Sequence, residues 1–271
     1  MNAEKEYVLG THDAEIERLG LQHRLWRHRT LDCWRRAGIR RGADVLDVGA
    51  GPGFATMELA QLVGPEGSVT ALDMSSRFLA HLRAIAAQRG LKQVRAIETD
   101  LDQAQAWPGG EFDLIWCRWT HIFLREPEQL LARLAKALRP GGRIIIHEYS
   151  DYGAWRMVPA VPSFERFVTA VMHSWRQAGG DPDVGAHIPR WLQLNELQVL
   201  STDLISYFLA PSDPMWLWPQ SYVKAGTERL AQLQVIEPAE AQQIQQDFEA
   251  ASRDPRTRTV TPTVIEIIAA R

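Results

Sequence analysis

A glycine-rich segment near residue 50 is the first candidate for chemistry. It reads Val45-Leu-Asp-Val-Gly-Ala-Gly-Pro-Gly53 and follows an apolar run. Glycines after a buried strand let the backbone turn sharply and approach a ligand at the N-terminus of the next helix. The spacing departs from the dinucleotide fingerprint G-x-G-x-x-G, because Phe54 stands where its third glycine is expected. Asp47, two residues before the first glycine, would repel a pyrophosphate but would suit a cationic ligand.

Two further carboxylates are expected at the same place. Asp73 lies about twenty residues beyond the glycines and is placed to accept hydrogen bonds from a ribose diol. Asp100 closes the next apolar segment, and open α/β sheets bind ligands at the carboxyl ends of their strands. Each carboxylate could instead serve only as a helix cap. Together they predict a ligand with ribose hydroxyls, an amine and no phosphates.

Alternating strands and helices must position these residues. The predicted strands are 44–48, 68–72, 93–98, 112–117 and 143–147, and the predicted helices are 12–37, 54–63, 75–89 and 126–138. Strands that alternate with helices indicate βαβ units, a parallel sheet and right-handed crossovers.

The alternation fails after residue 151. There we predict helices at 164–177, 189–197, 222–235 and 239–252, strands at 198–209 and 263–269, and a turn-rich stretch at 211–219. A long excursion between two strands is usually a lid or an oligomerisation arm.

Composition excludes several classes of protein. The chain has 271 residues, of which 45% are hydrophobic and 23% charged, as in a globular protein with a sizeable core. A net charge of −3 disfavours a nucleic-acid-coating surface. Two distant cysteines, Cys33 and Cys117, make a disulfide framework or a Cys-rich zinc site implausible, and no metal is predicted. The chain start lacks the apolar region of a secretory signal, and no window approaches the ~20 apolar residues of a membrane span. We therefore expect a cytoplasmic protein with no membrane partner.

The motifs in order resemble those of class I S-adenosylmethionine (SAM)-dependent methyltransferases. VLDVGAGPG resembles the family's motif I, Ala71-Leu-Asp-Met74 its acidic second-strand end, and Glu98-Thr-Asp-Leu101 its adenine-binding turn. The segments 112–118 and 138–143 resemble motif IV and the turn before the fifth strand. The resemblance covers about residues 43–150 and is strongest in the order and spacing of the motifs.

The resemblance implies a Rossmann-like α/β fold, with a seven-stranded, mostly parallel sheet and helices on both faces. The implied organisation is an N-terminal helical cap over 1–41, a SAM-binding core over 42–150, a helical lid with the sixth strand over 151–257, and a last, antiparallel strand within 258–271. It also implies SAM as cofactor and methyl transfer to a small-molecule acceptor by in-line displacement. A small-molecule subgroup shares the opening of the chain, which adds Tyr7 and Gln22 to the implied cofactor residues. The others are Asp47, Gly49, Ala50, Gly51, Gly53, Asp73, Met74, Asp100, Leu101, Cys117 and Arg118.

Four side chains near the same sheet edge are candidates for a general base, which is needed only if the acceptor must lose a proton. His121 follows the fourth strand, and His147, Glu148 and Tyr149 leave the fifth. Each has a favoured alternative role as a hydrogen-bonded residue that shapes the pocket.

Tryptophan is unusually frequent, with 10 residues in the chain. Burial in the core is the favoured role for any one of them. A second hypothesis is that the tryptophans of the lid line an apolar or planar acceptor pocket; these are Trp155, Trp175, Trp191, Trp216 and Trp218. Asp181 and Asp183 could meet a polar acceptor, but a solvated acidic turn is favoured.

Three other functions compete with the small-molecule methyltransferase. A nicotinamide-dependent dehydrogenase is disfavoured by the glycine spacing and by Asp47. An RNA methyltransferase would use the arginine-rich segment 18–41, but the rest of the chain is acidic and nucleic acid is an unlikely partner. A non-catalytic SAM-binding or interaction protein on the same fold stays open. The chain also lacks the His that the family often has before the helix after strand four, and it carries a helical insert at about 211–257.

Overall fold

A seven-stranded sheet organises the molecule. The computed structural model describes residues 10, 12–103 and 110–271. The main sheet has the order β3-β2-β1-β4-β5-β10-β7. Its strands are β1 (Asp44–Val48), β2 (Ser68–Asp73), β3 (Val94–Glu98), β4 (Phe112–Arg118), β5 (Leu138–Asp151), β7 (Gln198–Ile205) and β10 (Thr263–Ala270). β10 runs antiparallel to both of its neighbours, β5 and β7, while the pairs among β1–β5 are parallel. The predicted mostly parallel sheet is confirmed.

Helices cover both faces of this sheet. They are α1 (Asp13–Arg36), α2 (Phe54–Val63), α3 (Ser76–Gln88), α4 (Pro127–Ala137), α5 (Pro162–Gln177), α6 (Ile188–Leu194), α7 (Leu217–Gln232) and α8 (Pro238–Arg253). Because side chains of a strand alternate between faces, Val45 and Trp116 pack with α1 and α2, whereas Leu46 and Cys117 pack with α4 and α6. The buried apolar runs of the central strands follow from this two-sided cover.

The segment 151–257, predicted to be a lid and called the lid below, supplies most of one hydrophobic cluster, which also includes Trp26 of α1, Tyr149 of β5 and Val264 of β10. Helices α5, α7 and α8 pack around a small antiparallel sheet of order β6-β9-β8, formed by β6 (Arg156–Val158), β8 (Phe208–Leu209) and β9 (Arg258–Val260). The buried cluster between them contains four of the five lid tryptophans, namely Trp155, Trp175, Trp216 and Trp218. Their core role is therefore confirmed.

Three predicted elements were wrong in detail. The strand predicted at 198–209 is two strands in different sheets, because pairing with β10 ends at Ile205 and the Tyr207 N–H donates to Thr261 Oγ1 instead. β5 continues to Asp151, well beyond the predicted 143–147, because β10 pairs along it as far as Thr263. α7 begins at Leu217 inside the predicted turn-rich stretch, with Pro219 in its first turn, where no backbone N–H is needed.

The predicted last segment, 258–271, also divides between sheets. β9 belongs to the small sheet beside the lid, and only β10 completes the main sheet.

A buried ionic network fastens α1 to the sheet. Arg36 on α1 donates to Glu266 of β10, whose other carboxylate oxygen lies 2.7 Å from His147 Nε2 on β5. The Glu266 and His147 side chains are fully buried. Burial lowers the pKa of His147.

No helix of the described residues is both long and apolar enough to cross a membrane.

Candidate functional site

A cavity of about 410 Å³ lies at the carboxyl ends of β1, β2 and β4, beside α1. It is lined by Leu19, Gln22, Asp47, Gly49, Ala50, Gly51, Pro52, Phe54, Ala55, Asp73, Met74, Phe78, Asp100, Leu101, Asp102, Trp116, Arg118, Trp119, Thr120, Phe123, Leu124, Arg125 and Ala178. The edge of the sheet is where the glycine segment and strand-end carboxylates were expected to meet, and the structure brings them together there.

The glycine loop between β1 and α2 needs glycine for two separate reasons. Gly49 has a φ of +67°, and a Cβ there would lie 2.2 Å from Thr120 Oγ1, so a side chain would collide with the turn after β4. Gly51 has a φ of +57°, and a Cβ there would meet no protein atom within 4 Å. The backbone of Gly51 therefore has no side chain between it and the cavity, so a ligand can approach it closely.

Asp73 fastens this loop to the end of β2. Its Oδ2 accepts the Gly51 N–H at 2.8 Å, and its Oδ1 accepts the Ser75 N–H at 2.8 Å. Burial raises the pKa of Asp73, although these backbone donors oppose the shift. The carboxylate thus holds the loop and faces the cavity at the same time.

Asp47 supplies a second buried carboxyl group. Its Oδ2 accepts the hydroxyl of Thr56 at 2.6 Å, and burial raises the pKa of Asp47 to about 6. A cationic ligand beside it would favour the ionised form. At the end of β3, Asp100 accepts the N–H of Asp102 at 3.0 Å. The cavity therefore carries negative charge along the edge formed by β1, β2 and β3.

The wall after β4 is aromatic and carries a cation. The Arg118 guanidinium lies 5.0 Å from the ring centroid of Trp119 and 5.6 Å from that of Trp116. Arg118 donates from Nη1 to Thr30 Oγ1 at 3.2 Å and from Nη2 to His23 Nδ1 at 3.1 Å. Since a guanidinium only donates, the His23 ring accepts at Nδ1 and is neutral, in agreement with the burial that lowers its pKa.

Gln22 joins α1 and α7 at the cavity. Its Oε1 accepts from Arg18 Nη1 at 3.1 Å on α1 and from Trp218 Nε1 at 3.3 Å on α7. The cap and the lid thus meet at a residue that lines the cavity.

None of the four candidate bases is among the described residues that line the cavity. His121 is fully buried, with Nδ1 3.5 Å from Cys117 Sγ, and burial lowers its pKa to about 4. His147 is engaged with Glu266. Glu148 Oε2 accepts the N–H groups of Thr120 and His121 at 2.9 and 2.8 Å, and burial raises the pKa of Glu148 to about 8.

Tyr149 is buried against aromatic rings, stacked on Trp119 with centroids 5.9 Å apart. The hydrogen bonds and packing of all four candidates match the pocket-shaping alternative.

The structure places most predicted cofactor residues in the cavity wall. These are Gln22, Asp47, Gly49, Ala50, Gly51, Asp73, Met74, Asp100, Leu101 and Arg118. Gly53 instead begins α2 with a φ of +90°, and a Cβ there would lie 2.5 Å from Leu82 Cγ. Cys117 faces the opposite side of the sheet, in the cluster under α4. Tyr7 lies outside the described residues.

The aromatic residues of the wall differ from those expected. Among the described residues, none of the five lid tryptophans lines the cavity, whereas Trp116, Trp119 and Phe54 do. One signal was available in the sequence: Trp116 and Trp119 flank Arg118 at the end of the fourth strand, the edge already assigned to the ligand. Four of the lid tryptophans are buried inside the hydrophobic cluster, and Trp191 is partly buried against it.

Sheet order and cavity together define a doubly wound α/β protein that takes its ligand at the carboxyl edge of the sheet, against a glycine loop. Residues 45–142 match the family described as a methyltransferase domain. Over these residues, which are less than half of the chain, the sequence is similar to methyltransferase domains.

A curated relative is similar over part of the chain. The ubiquinone/menaquinone biosynthesis C-methyltransferase UbiE of Idiomarina loihiensis is 33% identical over 129 residues, which are 47% of this chain and 50% of the relative. The chain thus spans about half the length of this curated relative.

Two solved structures show the same fold. A crystal structure of a methyltransferase of unproven activity from Bacillus halodurans has a TM-score of 0.59 at 17% identity, over 89% of this chain and 97% of that chain. Coclaurine N-methyltransferase bound to N-methylheliamine and SAH has a TM-score of 0.54 at 17% identity, over 88% of this chain and 70% of that chain.

Proposed function

We propose that the protein transfers a methyl group from SAM to a small-molecule acceptor. The observation that carries the proposal is the pair of carboxylates at the glycine loop. Asp73 is fixed by the Gly51 N–H at 2.8 Å, Asp47 is buried beside it at the end of β1, and both line the cavity. This arrangement suits ribose hydroxyls and a positive charge, and it would repel phosphates.

The residues present fit SAM. The bare Gly51 allows close approach of the ligand to the loop, and Asp73 is placed to accept from ribose hydroxyls. Met74 and Leu101 offer apolar surface for the adenine ring of SAM beside Asp100. The negative charge of Asp47 favours an amine or a sulfonium, the two cationic groups of SAM.

SAM, when bound, would supply an electrophilic methyl group on its sulfonium. The chain's own residues would then orient the acceptor and exclude water, which can contribute up to ~7–11 kcal/mol to the lowering of the barrier. The described part of the cavity wall contains no histidine, so a base in this wall would have to be a carboxylate. We propose that orientation dominates over general-base catalysis here.

The acceptor proposed is apolar or aromatic over much of its surface. Leu19, Phe54, Trp116 and Trp119 form a wall that a flat or hydrocarbon-like molecule would cover. Among similar proteins, the names state a C-methyltransferase of quinone biosynthesis and a coclaurine N-methyltransferase, both of which act on small molecules. A cytoplasmic location remains a prediction.

Calorimetric titration of the purified protein with SAM, and separately with NADH, tests the cofactor. We expect SAM to bind and NADH not to bind, after removal of any cofactor that co-purifies. Binding of NADH alone, or of neither, would contradict the proposal. Turnover of SAM with a panel of flat aromatic acceptors would then separate an enzyme from a non-catalytic SAM-binding protein.

A further inference from the structure

Arg118 is a desolvated cation in the cavity wall that forms no ion pair with any carboxylate of the described residues. Its hydrogen bonds go to two neutral acceptors, Thr30 Oγ1 and His23 Nδ1. Burial lowers the pKa of Arg118 to about 10, although Asp47 and Glu58 oppose the shift through space. A buried charge without a counter-charge is costly, so such a site favours a ligand that brings one.

Two other guanidinium groups of the described residues pair with a fully buried carboxylate. Arg18 donates to both oxygens of Glu15 at 2.7 Å, and Arg36 donates to the buried Glu266. Arg118 differs from these two residues, because its guanidinium lies beside the cavity and not beside a carboxylate.

The position of Arg118 separates it from Asp73 and Asp100, whereas Asp47 lies on the neighbouring strand β1. In the sheet, β1 lies between β4 and β2, and β3 lies beyond β2. At about 4.8 Å between neighbouring strands, the end of β4 is roughly 10 Å from the strand of Asp73 and roughly 14 Å from that of Asp100. Arg118 therefore lies at the other end of the cavity, with Leu19 and Gln22 of α1.

Flat apolar surfaces surround this end of the cavity. The guanidinium lies over the rings of Trp116 and Trp119, and both rings line the cavity. The buried indole N–H of Trp119 has no acceptor among the described residues, which leaves a second donor beside the cation. An anion attached to a flat ring would match both the charge and the shape of this end.

We propose that Arg118 binds an oxyanion of a planar, apolar acceptor, so that the acceptor enters the cavity as an acid and not as a neutral molecule. The identification of the bound anion as the methyl acceptor rests on the proposed function. The anion site itself rests on the contacts of Arg118. The alternative source of the anion is the carboxylate of the cofactor's methionine part.

Calorimetry with 2-naphthoate and 2-naphthamide tests the anion site, because the two probes share a shape and differ in charge. At saturating S-adenosylhomocysteine we expect the wild-type protein to bind the acid at least tenfold more tightly than the amide. Arg118→Gln should weaken the acid at least tenfold and the amide less than threefold. Arg24→Gln removes the same charge from an exposed position of α1 and should change neither affinity.

Equal affinity of the wild-type protein for acid and amide, or binding of neither probe, would overturn the proposal without any variant. The proposal would also be wrong if Arg118→Gln kept its preference for the acid but lost affinity for S-adenosylhomocysteine, with 5′-methylthioadenosine unaffected. That pattern would assign the guanidinium to the cofactor's carboxylate.

Two further arms keep the outcome interpretable. If Arg118→Gln fails to fold by circular dichroism, Arg118→Lys keeps the charge and should keep a preference for the acid. If S-adenosylhomocysteine does not bind to the wild-type protein, the proposed function fails, and the comparison of acid with amide is made without it. A preserved tenfold preference for the acid would then still support the anion site.

Discussion

At the scale of single residues, Glu148 organises the turn that forms one wall of the cavity. Its carboxyl group accepts backbone N–H groups of Thr120, His121 and Tyr149, at distances of 2.8 to 3.0 Å. Trp119, just before this turn, has a φ of +50°, a conformation that L-residues adopt only when their surroundings impose it. Glu148 is a positioning residue: it holds the turn and leaves the chemistry to other groups.

The free energy of unfolding should fall as the pH rises from 6.5 to 8. Burial raises the pKa of Glu148 to about 8, so the folded state keeps a proton that the unfolded chain has already lost. At about 1.4 kcal/mol per pH unit, the loss is about 2 kcal/mol over this window. Urea unfolding measures this pH dependence of the free energy of unfolding. Glu148→Gln should remove it, whereas Glu249→Gln, a change at an exposed position, should retain it.

The window is chosen because His121 acts in the opposite direction at lower pH. Burial lowers its pKa to about 4, so its contribution to stability is lost as the pH falls from 6.5 toward 4. Above pH 6.5 only about 0.4 kcal/mol of its effect remains to be gained, because the unfolded imidazole is half protonated at that pH. A flat wild-type stability between pH 6.5 and 8 would mean that the three N–H donors hold Glu148 ionised, against the expected effect of burial.

Asp73→Asn should weaken the binding of S-adenosylhomocysteine about tenfold to a hundredfold. Hydrogen bonds to a charged acceptor contribute about 1.5–3 kcal/mol, and the amide would also place a donor against the N–H of Gly51 or Ser75. Calorimetry should show the same loss for 5′-methylthioadenosine, which shares the ribose. A loss confined to S-adenosylhomocysteine would argue against a ribose role for Asp73, and Glu249→Gln serves as the control.

The sequence predicted which carboxylates and glycines line the cavity better than it predicted the surroundings of the candidate bases. Strand ends, glycines and carboxylates are local signals, and Asp47, Asp73 and Asp100 all line one cavity. The candidate bases were chosen for their type and edge position, but neighbours along a strand face opposite sides. Whether His147 meets a ligand or Glu266 depends on β10, which is distant in the sequence.

At the scale of elements, boundaries set by local chemistry were predictable and those set by partners were not. β1 and α2 lie at the predicted residues because glycines end the one and begin the other. The length of β5 and the break between β7 and β8 depend on pairing with β10 and β9. Single segments carry no information about such distant partners.

Arg36→Gln should lower the free energy of unfolding by about 2–3 kcal/mol. The change leaves Glu266 buried with the neutral partners His147 and the Cys33 thiol, and removing one member of a buried ion pair costs about 3–5 kcal/mol. We expect less than that full cost because the Arg36 side chain is 30% exposed. Urea unfolding measures the difference.

The neighbouring residue provides the control for this experiment. Arg35 pairs with Asp32 but is 76% exposed, so Arg35→Gln should cost at most about 1 kcal/mol. Equal effects of the two variants would show that the network does not fasten α1 to the sheet.

At the scale of the whole molecule, the lid core reaches the main sheet at Tyr149 of β5 and Val264 of β10, while most of the sheet packs against other helices. Trp155 packs edge-on against Tyr152, Phe164 and Phe167 inside the lid, whereas Trp34 and Trp116 pack between α1 and the sheet. Sequence alone left the lid tryptophans with two roles, because core packing and pocket lining both bury aromatic surface. Only the packing of distant helices distinguishes them.

Trp155→Ala should lower the free energy of unfolding by about 3–5 kcal/mol, since truncation leaves a large void in the lid core. The affinity for S-adenosylhomocysteine should stay within twofold of the wild type, because Trp155 does not line the cavity. Urea unfolding and calorimetry at a temperature where the variant is folded give the two readings. A large loss of affinity in the folded variant would link the lid core to the cofactor end.

The place of β10 in the sheet has a consequence for biosynthesis. A chain made from its N-terminus produces β5 and β7 long before Thr263–Ala270, yet β10 lies between them and pairs with both. Until β10 is released, β5 has an open edge and β7 has no described partner in the main sheet. Open strand edges are prone to aggregate, so the growing chain needs protection until β10 is inserted.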